Sequence, residues 1–175
     1  MRSFFGLCAG LMLVLAPATA HEETGYAPMA PFAKLAGHTL RGVGTSPGGE
    51  RLVDIAKWEL ILGGKALQST HRLQGSDYGG RTIFFYDEGA ETYVFHYFTT
   101  AGFHTTGTAE PIEDGFVATE EVHGDKRYKQ VRSIMTFNDD ETIDVESIYV
   151  LHDGSETPGS SFRYSEVEDA GPLFD

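Results

Sequence analysis

From residue 37 onward the chain never runs more than about a dozen residues without meeting a cluster of turn formers, and that spacing rules out long helices. The breaks are Ser46 to Gly49, Gly63-Gly64, Gly75 to Gly80, Asp87 to Ala90, Thr99 to Gly102, Glu110 to Gly115, His123 to Lys126, Asn138 to Glu141 and His152 to Ser160. Between them lie ten segments rich in β-branched and aromatic residues, at 39–45, 51–62, 65–73, 81–86, 91–98, 103–108, 116–122, 127–137, 142–150 and 161–167. Short loops join consecutive strands as antiparallel neighbours. Ten strands in one small domain predict closure, because a closed sheet has no sticky edge. The expected fold is all-β: an up-and-down antiparallel barrel at 37–167. An N-terminal arm at 21–36 carries a helical turn over Phe32 to Ala36, and the tail at 168–175 is expected to fray.

The first 20 residues read as a signal peptide. Arg2 supplies the basic start, Phe4 to Leu15 the apolar run and Ala18-Thr19-Ala20 the small-residue site, with cleavage expected before His21. An apolar run of about 12 residues is too short to span a bilayer, and no later stretch is apolar enough. The expected location is periplasmic or secreted. Cys8 is the only cysteine and lies in this leader without a lipobox pattern, so the mature chain is expected to lack disulfides, thiol nucleophiles and thiolate ligands. The whole chain has 26 acidic and 13 basic residues, and Arg2 is the only charge in the leader, which leaves the mature chain 14 more acids than bases. That field disfavours nucleic acid and anionic membrane surfaces as partners.

Facing follows from hairpin register, since opposed residues share a face. Across Gly63-Gly64, Ala56 meets His71, Trp58 meets Ser69 and Leu60 meets Leu67 on one face. Lys57 and Glu59 fall on the other, so Trp58 and His71 face the interior. Across His123 to Lys126, Glu120 opposite Lys129 reads as an outer ion pair. Val117, Thr119, Gln130 and Arg132 then point inward. The Asn138 to Glu141 turn places Ile134 against Val145 and Arg132 against Ser147 inside, with Ser133 and Glu146 outside. Working back over the earlier turns puts His104 and Thr106 inside with Phe95 and Tyr97, then Phe84 and Tyr93.

The candidate ligand-binding residues are therefore Trp58, His71, Phe84, Tyr93, Tyr97, His104, Arg132 and Tyr149. A ten-stranded barrel is too wide for side chains to fill, and aromatic walls with a few polar groups are the usual make-up of a small-molecule pocket. An inward Arg132 demands an anion. Either Glu121 supplies it, or a ligand carboxylate does.

Gly37 to Gly44, Ile61 to Leu67, and Tyr86-Asp87 followed by Glu91 to Val94 resemble a bacterial family of small domains of unknown function with a lipocalin-like or fatty-acid-binding-protein-like (calycin-type) barrel. The likeness runs over roughly residues 32–166. The family pattern has Trp in the first strand, where this chain has Thr39-Leu40. The resemblance implies a barrel and a hydrophobic or amphipathic ligand. The distantly similar nitrobindin-type barrels hold haem through a histidine near the C-terminal strands. Here no histidine falls in the last strand, so no haem is expected, and His71 and His104 read as wall residues.

Other chemistries lack their signatures. There is no His-Glu-x-x-His pair, phosphate-cradling loop or calcium-binding EF-hand spacing. A copper brace at His21 would need a second positioned histidine, and no spacing supplies one. Acidic hairpin tips such as Asp139 to Glu141 read as solvated, so neither metal nor cofactor is expected. Three functions stand: an exported binder of a hydrophobic or amphipathic molecule, a barrel isomerase or hydrolase with an interior His as base, and a structural or interaction module. The enzyme requires a carboxylate or Tyr beside that His. The module requires a filled interior and an apolar outer stripe at Phe85, Val94, Phe98 and Phe103.

Overall fold

The computed structural model describes residues 25–168 and 170–174, and the expected cleavage site lies outside them. Ten strands follow a 3-10 helix at Ala27–Phe32: β1 (Thr39–Thr45), β2 (Arg51–Ile61), β3 (Ala66–Leu73), β4 (Gly79–Asp87), β5 (Thr92–Thr99), β6 (His104–Ile112), β7 (Gly115–His123), β8 (Tyr128–Phe137), β9 (Ile143–Leu151) and β10 (Glu156–Val167). Each pairs antiparallel with its neighbours in sequence, and β10 returns to β1 to close the barrel. The all-β up-and-down barrel is thus the one its turns dictate. No helix among the described residues is long and apolar enough to cross a membrane.

The helical element sits earlier than expected, at Ala27–Phe32 rather than Phe32 to Ala36, because Pro28 favours the first turn of a helix. It plugs one end of the barrel. Met29, Phe32 and Leu35 are fully buried. The Phe32 ring lies 5.6 Å from Phe84, 5.1 Å from Tyr93 and 5.3 Å from Phe116, the last two edge to face. Tyr93 donates its hydroxyl to the Pro28 carbonyl at 2.5 Å, and Tyr26 donates to Glu88 at 2.6 Å. The plug is therefore held by apolar burial and pinned by two phenols.

The tail departs from the frayed end expected of it. Arg72 donates to the Leu173 carbonyl at 3.2 Å and sits over the Phe174 ring, drawing residues 172–174 against the outside of β3 and β4. The last strand also starts earlier than expected, at Glu156, and crosses a register shift between Pro158 and Ser161. That irregularity is what the turn residues there had signalled.

The β2–β3 register is as expected: Ala56 faces His71, Trp58 faces Ser69 and Leu60 faces Leu67. Trp58 is 7 % exposed, whereas the Lys57 side chain is 39 % exposed. The later hairpins differ. Glu120 pairs with Val131, not Lys129, so the presumed outer ion pair does not form. On β8 an extra residue between Tyr128 and Gln130 breaks the alternation, and Ser133, not Arg132, faces Ser147. In the β5–β6 hairpin, His104 pairs with Phe98 and Thr106 with His96, one residue off the expected register. A one-residue slip moves every side chain of a strand to the other face.

Candidate functional site

Along β2 the inward positions run Leu52, Asp54, Ala56 and Trp58, from the open rim toward the plug. The same order repeats around the barrel and leaves a cavity of about 450 Å³. Near the plug its floor is apolar: Trp58, Phe84, Phe95 and Phe116, with Leu40, Met135 and Ile143 between them. Trp58 stacks on Phe84 at 6.0 Å, and Phe84 packs on Phe95 at 5.0 Å. Above that floor the wall turns polar, with five of its polar groups chained together, and Leu52, Leu73, Phe103 and Val122 lie nearer the rim.

Asp54 anchors the chain. It is 2 % exposed, and a carboxylate so buried is tolerated only when its oxygens are taken. His71 Nδ1 meets one oxygen at 2.9 Å, and the Tyr164 hydroxyl donates to the other at 2.9 Å. His71 Nε2 lies 2.8 Å from the Tyr97 hydroxyl, itself 3.0 Å from that of Tyr78. When His71 is neutral with its proton on Nδ1, Tyr97 donates to Nε2 and Tyr78 donates to Tyr97. A second proton on His71 reverses the row, so that Tyr97 donates to Tyr78 and the Tyr78 proton is freed for the cavity.

Two glycines make room for this row. Gly42 stands between Tyr164 and Asp54 in the β10–β1–β2 ladder. A Cβ there would sit 2.4 Å from the Tyr164 ring, so only glycine lets that ring lie across β1 to reach Asp54. Gly80 opposes His71, and a Cβ on it would come within 2.4 Å of the Tyr97 ring.

A second carboxyl stands across the cavity. Glu120 Oε2 accepts a hydrogen bond from Thr105, and Oε1 has no partner among the described residues. Among the described residues no buried side-chain polar atom is left unpaired, so that oxygen opens into the cavity that Glu120 lines. Burial pushes the Glu120 carboxyl above the ordinary carboxylate range, against the opposing pull of the Thr105 hydrogen bond. Burial also raises the phenols of Tyr78, Tyr97 and Tyr164, and the negative charge of Asp54 adds to each. These phenols keep their protons through the physiological range. Tyr149 and Ser160, 3.2 Å apart, and Ser133 and Ser147, 2.9 Å apart, complete the polar wall.

Five of the candidate residues meet on this wall: Trp58, His71, Phe84, Tyr97 and Tyr149. Three do not. Tyr93 points inward but is spent beneath the plug. His104 lies exposed on the outer face, its ring 6.0 Å from Phe98 and 4.9 Å from His123. Arg132 is also outside, its side chain 43 % exposed and 3.8 Å from Glu156. That partner replaces both Glu121 and a ligand carboxylate. Of the other residues expected inside, Leu60, Thr106, Val117, Thr119, Gln130 and Ile134 are absent from the cavity wall.

Sequence reasoning missed Asp54, Tyr78, Thr105, Glu120 and Tyr164. Asp54 shares the parity of Ala56 and Trp58, so the register already in hand placed it inward. For Glu120 the signal was Phe116, Ala118 and Val122, three apolar residues at the same parity that outweigh one inferred ion pair. Tyr78 sits in a glycine-flanked turn, where alternation carries no information.

No group of three or more metal-ligating side chains gathers among the described residues. The open interior departs from the filled core of a structural module, although Phe85 and Phe98 are exposed on the outer face, as that reading required. Phe103 is not on that stripe, because it lines the cavity. No family model matches this chain, and no curated protein matches it.

Proposed function

We propose that this protein is an exported binder of a small hydrophobic or amphipathic molecule, held inside the barrel. One observation carries the reading: the cavity of about 450 Å³, apolar at its plugged end, with polar groups gathered above that floor. Its size falls in the range of small-molecule sites, and the graded wall suits a ligand with an apolar body and a polar end. The resemblance to lipocalin-like barrels points the same way. With Arg132 outside, the argument for a carboxylate ligand lapses.

Trp58 is the only tryptophan and stands on the cavity wall, so its fluorescence reports this site alone. Native mass spectrometry of protein purified from its own periplasm is expected to show a retained small molecule. Saturable change in Trp58 emission should follow when the extracted ligand, or a neutral probe such as decanol, is added back. A bare protein mass, together with no response to any apolar probe, would overturn the reading.

A second reading, a barrel isomerase or hydrolase with His71 as base, is favoured by the Asp54–His71–Tyr97 row. An aspartate that orients an imidazole is a recurring device of general-base catalysis. Against it, Nε2 is occupied by Tyr97 rather than open to a substrate. Turnover of activated esters or β,γ-unsaturated ketones that vanishes in His71→Gln would establish it. Equal, background rates in both proteins would remove it.

A further inference from the structure

The cavity wall carries its charges with one sign. Its acidic groups are Asp54, Glu120 and, at the rim, Asp125. Among the described residues His71 is the sole basic side chain on the wall, and no Lys or Arg joins it. An anionic head group would enter this site with no cation to receive it except an imidazole already engaged on both nitrogens.

The two inner carboxyls are not equivalent. Asp54 has both oxygens occupied, by His71 and Tyr164, and serves the wall itself. Glu120 has one oxygen held by Thr105, while Oε1 is open to the cavity. A carboxyl recessed among aromatic rings is poorly solvated, and so is an ammonium group brought in beside it. Pairing the two relieves both penalties, whereas either alone bears its own in full. The rings of Tyr78, Tyr97 and Tyr149 line the same cavity, and an aromatic face attracts a cation as well.

We propose that the ligand is a cationic amphipath, a protonated amine on an apolar or aromatic body, with its ammonium on Glu120 and its body on the floor of Trp58, Phe84, Phe95 and Phe116. This rests on the binding reading above and gives it a ligand class. Anionic amphipaths such as fatty acids are disfavoured by the same acidic groups. A neutral alcohol keeps the apolar contacts but gains a hydrogen bond in place of an ion pair.

Decylamine, decanol and decanoate share one apolar body and differ only in the head, so they isolate the charge effect. Trp58 emission is titrated with each at neutral pH, in wild type, in Glu120→Gln and in Arg132→Met, whose substituted side chain lies on the outer face. Decylamine is expected to bind at least tenfold tighter than decanol, with decanoate weakest. That preference should shrink at least fivefold in Glu120→Gln and stay unchanged in Arg132→Met. A preference below tenfold in wild type, with decanol bound, overturns the amine assignment and leaves the binding reading standing. A wild-type preference that survives in Glu120→Gln overturns the role given to Glu120. If none of the three binds, the binding reading falls and the proposal with it.

Discussion

Glu120 shows how a single side chain can trade stability for a site. Its folded-state pKa is raised by burial, so the folded chain holds this proton at pH values where the unfolded chain has released it. Stability from this group is complete below its ordinary value near 4.5 and is lost as pH climbs through the raised folded value. Glu120→Gln removes the penalty of ionisation, so thermal melts should show Tm rising more at about pH 7 than at about pH 4. An equal Tm change at both pH values would show that Glu120 ionises as freely folded as unfolded. Asp54 plays a different part, as a buried side chain whose two oxygens serve His71 and Tyr164. Asp54→Ala strands the Tyr164 hydroxyl and His71 Nδ1, and urea unfolding should register a loss of about 3 kcal/mol. Arg132 contributes little by the same logic. Its ion pair with Glu156 is long and half exposed, so Arg132→Met should stay within about 0.5 kcal/mol of wild type in the same urea titration.

At the level of elements, the plug and the strands were legible to different degrees, and for different reasons. Strand number and ends follow from turn chemistry, which is local: Gly63-Gly64, Asp87 to Ala90 and Asn138 to Glu141 each mark a hairpin whatever the rest of the chain does. Facing is also local where a tight turn fixes register, and so Trp58 and His71 could be placed on the wall before the fold was known, whereas Tyr97 reached it through a β5–β6 register one residue off. It fails where an extra residue enters a strand. The bulge between Tyr128 and Gln130 leaves no mark in the residue pattern, and Arg132 was misplaced for a separate reason, because Glu120 was read as outside on an ion pair with Lys129 that does not form. The network on Asp54 was illegible for another reason. Tyr164 and Asp54 are 110 residues apart and meet only because the barrel closes β10 onto β1. The plug announced itself only as two prolines and a short apolar run, yet its Phe32 fills the floor against three rings. Phe32→Ala should cost about 3–5 kcal/mol in equilibrium unfolding and deepen the cavity toward the vacated plug. A loss under about 1 kcal/mol would mean that the barrel closes without it.

On the scale of the whole molecule, the excess of acidic residues and the acidic cavity act on a ligand at different ranges. The chain has 26 acidic and 13 basic residues, and this surplus makes a field that reaches beyond the mouth and gathers cations before any contact forms. Mobile ions screen that field over about 10 Å at about 0.1 M salt, whereas a contact pair recessed on Glu120 is screened far less. Salt and mutation therefore separate the two contributions. Stopped-flow Trp58 fluorescence should show decylamine association slowing about 3–10-fold between about 20 mM and about 500 mM salt, with its dissociation nearly constant. Glu120→Gln should do the reverse, speeding dissociation while preserving the salt dependence of association, because it removes the contact and only one of many charges. Decanol, which feels neither, should give rates flat in salt. If the amine and the alcohol showed the same salt dependence, the net charge would have no part in capture, and selectivity would rest on the cavity wall alone.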